Sequence, residues 1–135
     1  MSDIFSAIEI LSQLIPFDTT SSKSNKPMIN FISEVLDKHN ISCNIGSNQE
    51  GTKGDLIATI GPMVEGGIVL SGHTDTVPVE GQNWDSDPFT LTQKNKLVFG
   101  RGSCDMKGFI AVVLSLIPEI QALTLKIPIH LAFSY

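Results

Sequence analysis

The stretch VLSGHTDTVP, residues 69–78, runs from apolar, strand-like residues straight into His73, Thr74 and Asp75. Side chains alternate along an extended chain, so His73 and Asp75 can point the same way. A carboxylate that accepts the N–H of one imidazole nitrogen sets the tautomer and frees the other nitrogen as a metal ligand. The plain alternative is a surface histidine beside an aspartate, because His-x-Asp alone is a short pattern.

A second stretch, GRGSCDMKG at 100–108, places glycines before Asp105 at the mouth of an apolar segment. Asp105 can cap a helix there or ligate a metal. A phosphate cradle does not fit. Gly100 and Gly102 are followed by Asp105 where a dinucleotide fingerprint needs glycine or alanine, and no phosphate-loop pattern is present.

These residues need elements to hold them. Residues 3–15 read as a helix with Ile4, Ile8, Leu11 and Ile15 on one face, Ser2 or Asp3 as cap and Pro16 as its end. FDTTSSKSN at 17–25 reads as a polar loop. A second helix is expected over 26–39, with Pro27 in its first turn, Ile29, Ile32 and Leu36 on its apolar face, and Asn40 as its stop. Strands are expected at 41–45, 55–61 and 67–73. The last two are apolar on consecutive positions, as in a sheet covered on both faces. Residues 90–100 read as a hairpin turning at Lys94-Asn95. Residues 106–123 read as a helix that kinks or breaks at Pro118, and 126–135 as a final strand. The succession predicts an α/β fold with a mixed, mostly parallel sheet flanked by helices. In such folds sites form outside the carboxyl ends of strands, where His73 falls.

The 135 residues suit one ordinary domain, and 41% apolar residues lie well above the disordered range. A formal charge of −5 without a basic run argues against nucleic acid and anionic membranes as partners. No apolar run approaches the roughly eighteen residues of a membrane span. The N-terminus has no positive n-region, which argues against a signal peptide. Cys43 and Cys104 then read as reduced thiols, and the cytoplasm is the expected address.

Taken together, SGHTDTVP and GRGSCDMKGF, with WDSDPF between them, resemble the zinc-dependent deacetylase, desuccinylase and carboxypeptidase family. The resemblance runs from FDTTSSKSN to IPIHLAFSY. It implies the first part of a zinc-hydrolase catalytic domain over 1–135 and a site for two zinc ions, or cobalt in their place. By resemblance His73 ligates one metal, Asp105 bridges both, and Asp75 is the catalytic position that orients His73. A water between the metals would be the nucleophile. The implied reaction is hydrolysis of a small N-acyl amino acid, N2-acetyl-L-ornithine to L-ornithine and acetate in arginine biosynthesis. Succinyl-diaminopimelate or a peptide is the rival substrate.

In relatives an acidic run follows the strand that corresponds to IPIHLAFSY, and it holds the general base and a further ligand. The sequence stops at Tyr135, before that run. The expectation is an N-terminal fragment, inactive alone, since a general base contributes about 10² to 10⁴-fold. The remaining ligands and a dimerisation domain would lie beyond it; complete relatives are homodimers. A complementing C-terminal chain or a non-enzymatic remnant are the other readings. The last strand is expected to be an exposed edge.

Other residues carry weaker expectations. Cys104 and Cys43 read as small packed residues, His39 as a helix-end histidine, and His130 as paired or solvated. Arg101 and Lys107 could bind a substrate carboxylate or form salt bridges. Trp84 and Phe89 are expected to pin the long loop to the sheet.

Overall fold

The structure, a computed structural model, describes residues 6–135. Helix α1 (Ala7–Leu14) opens with a capping box. The Glu9 amide donates to Ser6 Oγ at 3.3 Å, and the Ser6 amide donates to Glu9 Oε2 at 2.6 Å. The expected caps Ser2 and Asp3, and Ile4 with them, lie outside the described residues. The buried stripe is Ile10, Leu11, Leu14 and Ile15, and Ile8 is exposed. The helix is therefore turned from the expected face, because the surface it meets is helix α3 (Lys107–Ser115).

Helix α2 (Lys26–Lys38) has Pro27 in its first turn and buries Met28, Ile29, Ile32 and Leu36. Asn40, at φ 57°, takes the left-handed conformation that stops it. The expected break at Pro118 is present. Helix α3 ends at Ser115, and helix α4 (Ile117–Ala122) starts with the proline in its first turn, where the missing N–H costs nothing.

Strands β1 (Cys43–Ser47), β2 (Gly54–Ile60), β3 (Ile68–His73) and β6 (Ile129–Ser134) form one sheet in the order β1-β2-β6-β3. The mixed α/β class is as expected, but the sheet is not mostly parallel. Only β3–β6 is parallel, while β1–β2 and β2–β6 are antiparallel. The reason is connection length: β1 and β2 are joined by a short turn, and the one long crossover runs through α3 and α4. The crossover also corrects the expected exposed edge. It carries β6 between β2 and β3, so the last strand is central and β1 and β3 are the edges.

Registry puts Leu70, Leu131 and Ala58 in one row and Gly72, Phe133 and Leu56 in the next, all on the face that the helices cover. Each fully buried aliphatic or aromatic side chain there contributes about 1.5–3 kcal/mol relative to exposure. The opposite face carries exposed Ile57 and Val69. Cover on both faces of these strands, expected from their composition, is therefore not seen among the described residues. A separate hairpin, β4 (Thr92–Lys94) and β5 (Leu97–Phe99), turns at Asn95-Lys96, one residue later than expected. Both turn residues have positive φ, as a two-residue hairpin loop matching strand twist requires. No helix among the described residues is long and apolar enough to cross a membrane.

Candidate metal centre

His73 is the last residue of β3, and its parallel partner is Ser134. Just beyond it the chain stays docked on β6. The Thr74 amide and hydroxyl both donate to the Ser134 carbonyl, at 2.7 and 2.9 Å. Asp105 arrives from the turn that precedes α3, and its peptide bond to Met106 is cis. The His73 amide donates to Met106 Sδ at 3.2 Å, which ties that turn to the strand end.

The three sequence-predicted site residues come together here. His73 Nε2 lies 2.9 Å from Asp105 Oδ1. On the other side of the ring, Nδ1 lies 3.0 Å from the main-chain oxygen of Asp75 and 3.0 Å from its Oδ1. The hydrogen bond is to the carbonyl, with the carboxylate as close charged company. Both the backbone and the side chain of Asp75 therefore face Nδ1. Burial pulls the His73 pKa down. The hydrogen bond with Asp105, the Asp75 carbonyl and the two carboxylate charges outweigh it and hold the pKa above the ordinary histidine value.

This geometry suits a cation. Nδ1 faces two acceptors, so it carries a proton. In the neutral imidazole Nε2 is then an acceptor, and it faces another acceptor, Asp105 Oδ1. Two acceptors at this distance need positive charge between them, either a second ring proton or a metal ion. Both atoms can lie within about 2.0–2.2 Å of one zinc ion. Imidazole and carboxylate without thiolate are the donors of hydrolytic zinc sites. Among the described residues no group of three or more His, Cys, Asp or Glu side chains converges; the pair present is His73 Nε2 and Asp105 Oδ1.

A small cavity of about 90 Å³ opens on the pair, lined by His73, Asp75, Thr76, Val77, Arg101 and Asp105. Arg101 stacks on Trp84, its guanidinium carbon 5.1 Å from the ring centre, and donates to Gln82 Oε1. Trp84 therefore packs against Arg101 at the rim of the cavity. Lys107 departs from both expectations, a substrate carboxylate and a salt bridge. It is fully buried and turned away from the cavity. Its Nζ donates to the carbonyls of Leu14 and Phe17 at 3.1 and 2.6 Å, closing the C-terminal end of α1. Cys104 is exposed, not packed, because it rides the outer side of the turn before α3. Cys43 is half-buried beside Ser33. His130 is paired, with Nδ1 2.9 Å from Thr59 Oγ1 and Nε2 3.2 Å from the Gly66 carbonyl.

Two contributors escaped the sequence reading. Asn25 is fully buried. Its amide nitrogen donates to Gly54 O and Thr74 Oγ1, each at 2.7 Å, and its Oδ1 accepts from the Gly54 amide at 2.8 Å. The stretch after α1, 17–25, reads from its sequence as a polar loop. In the structure it lies along the residues that follow His73. Thr20 and Thr76 form an isolated parallel bridge, and Thr19 Oγ1 donates to Thr74 O at 2.6 Å. The density of hydroxyl side chains in DTTSS was the available signal.

The chain places an imidazole–carboxylate pair at a strand's carboxyl end, on a mixed sheet with helices over one face. It superposes on an M20 family metallo-carboxypeptidase from Sulfolobus solfataricus with a TM-score of 0.81, at 20% identity, covering 99% of this chain and 31% of that one. Human carnosine dipeptidase 1 matches with a TM-score of 0.79, at 19% identity, over 95% of this chain and 31% of that one. The sequence is closer to other relatives. It is 38% identical to an acetylornithine deacetylase of Buchnera aphidicola subsp. Schizaphis graminum and 37% identical to one of Proteus mirabilis. These alignments cover 93% and 92% of this chain and 34% of each relative, so the chain spans about a third of their length. The family model of peptidase family M20/M25/M40 matches residues 69–135.

Proposed function

We propose that this chain supplies half of the metal centre of a zinc-dependent amide hydrolase, with His73 and Asp105 as ligands and Asp75 as the residue that orients His73. The observation that carries the reading is the 2.9 Å approach of His73 Nε2 to Asp105 Oδ1 at the end of a strand. The second Asp105 oxygen has no partner among the described residues and suits contact with a second ion. When bound, zinc lowers the pKa of a water and polarises the scissile carbonyl. The chain's own part is to hold the imidazole in one tautomer through Asp75, to present one Asp105 oxygen to it, and to shape the adjoining cavity. Ligands and a general base from outside these residues would complete the site, because a catalytic zinc ordinarily takes three protein ligands. Alone, the chain is then inactive.

Similarity to acetylornithine deacetylases supports N2-acetyl-L-ornithine as the substrate of the completed enzyme. Zinc titration calorimetry of the full chain, with His73→Ala as control, tests the half-site. Uptake that the substitution abolishes is the expected result. Equal uptake, or none, would leave a remnant without a site. On the completed enzyme, faster turnover of N-succinyl-diaminopimelate than of N2-acetyl-L-ornithine would move the reading to a desuccinylase.

A further inference from the structure

The Asp75 carboxylate has two oxygens and two tasks. Oδ1 lies 3.0 Å from His73 Nδ1, while Oδ2 accepts a hydrogen bond from Ser21 Oγ at 2.7 Å. Ser21 is 54 residues away in sequence. Its position does not depend on its own side chain. The Ser21 amide donates to Thr76 O at 3.1 Å, and Lys53 Nζ donates to Ser21 O at 2.6 Å. Asp18 closes the turn that presents it, with Oδ1 accepting from the Thr20 hydroxyl at 2.6 Å and the carboxylate pairing with Lys23. The backbone thus delivers the Ser21 hydroxyl to Asp75 Oδ2, the nearer of its two acceptors, with Thr76 O at 3.4 Å as the other.

From this geometry we infer that Ser21 is a positioning residue for the metal-binding imidazole: it anchors Asp75 Oδ2 so that Oδ1 stays against His73 Nδ1. The Asp75 side chain is about one-third exposed. Without the anchor, water competes for both oxygens and the carboxylate is free to swing from the ring. A hydrogen bond to an ionised acceptor is about twice as strong as a neutral one and sets direction as well as energy. Partners of a metal-ligating histidine are commonly worth about 10–100-fold in metal affinity. Ser21 acts one bond further out, so its effect belongs at the lower end. This inference rests on the proposed role of His73 as a ligand.

The test compares wild type, Ser21→Ala and Ser21→Thr in the full chain. Two readouts are taken: zinc affinity by calorimetry, and the His73 Nδ1 proton by NMR in the metal-free protein at a pH where the imidazole is neutral. Ser21→Ala is expected to weaken zinc binding about tenfold and to make the Nδ1 proton exchange faster with water. Its melting temperature should hold within about 2 °C, because the backbone contacts remain. Ser21→Thr, which restores a hydroxyl, should recover both readouts. An imidazole signal unchanged in Ser21→Ala overturns the inference, whatever the affinity does. A loss that threonine fails to rescue overturns it too. If wild type takes up no zinc, the proposed function fails, and the Nδ1 proton still decides the part played by Ser21.

Discussion

The ammonium of Lys107 lies 2.6 Å from the main-chain oxygen of Phe17, 90 residues earlier in the chain, and 3.1 Å from that of Leu14. The start of α3, two residues after Asp105, is thereby plugged into the end of α1, where outward-pointing carbonyls favour a cation. Phe17 leads directly into the loop that docks on Thr74 and Thr76. One buried lysine therefore links the turn that carries Asp105 to the loop docked beside the residues that follow His73.

Burial lowers the pKa of Lys107 from 10.5 to about 8, with the Asp18 charge opposing the shift. Between those values the unfolded chain binds the proton more tightly than the folded one, so stability should rise with pH across that window and stay flat below it. Lys107→Met keeps the stem but removes charge and donors. It should cost roughly 2 kcal/mol at neutral pH, since the Phe17 carbonyl loses the Lys107 donor and the Leu14 carbonyl keeps only the Phe17 amide, and should erase the alkaline rise. Urea unfolding at a series of pH values checks both. The same rise in the variant would show that another group titrates.

Asn25 holds α2, β2 and the residue after His73 in one knot. Asn25→Ala should destabilise by about 2–4 kcal/mol, because the buried Gly54 amide and carbonyl lose partners and a cavity opens. The urea midpoint reports it. Asn25→Asp should not restore stability, since a carboxylate cannot donate to Gly54 O or Thr74 Oγ1. A midpoint within error of wild type for either variant would refute the account.

Asp75→Asn keeps the shape of the side chain and the main-chain acceptor of the His73 Nδ1 proton. It removes the charge beside the ring. Zinc affinity should fall about 10-fold, the lower end of the range for such partners, because the backbone contact survives. Calorimetry against wild type measures this. A loss as complete as that of His73→Ala would mean that Asp75 is itself a ligand.

Gly108 sits in the first turn of α3, where an added Cβ would lie 2.3 Å from the Ser103 carbonyl oxygen. Gly108→Ala should force the turn carrying Asp105 to shift, at a cost of about 1–3 kcal/mol. Zinc affinity should drop along with the melting temperature. A stable variant with unchanged affinity would show that the turn can give way without moving Asp105.

Much of this protein was legible in its local patterns. The 3.6-residue periodicity marked both early helices, Pro118 marked the break before α4, and the approach of apolar strand to His73 marked the site. The His73–Asp75 pairing was readable because both residues sit on one short extended stretch, where alternation alone brings them near. Turn positions were readable only to within a residue, as the hairpin at Asn95-Lys96 shows.

The tertiary structure decided what sequence distance conceals. Strand order depends on which crossover packs where, so the place of β6 between β2 and β3 could not follow from its own residues. Lys107 reads as a surface charge next to Asp105 until α1 is seen to end against it. Ser21 reads as linker until the sheet brings Asp75 to it. Periodicity reports which face of an element is apolar. Only the packed chain determines which polar atoms from distant segments must share the space between those faces, because buried donors and acceptors pair with whatever the fold places in reach.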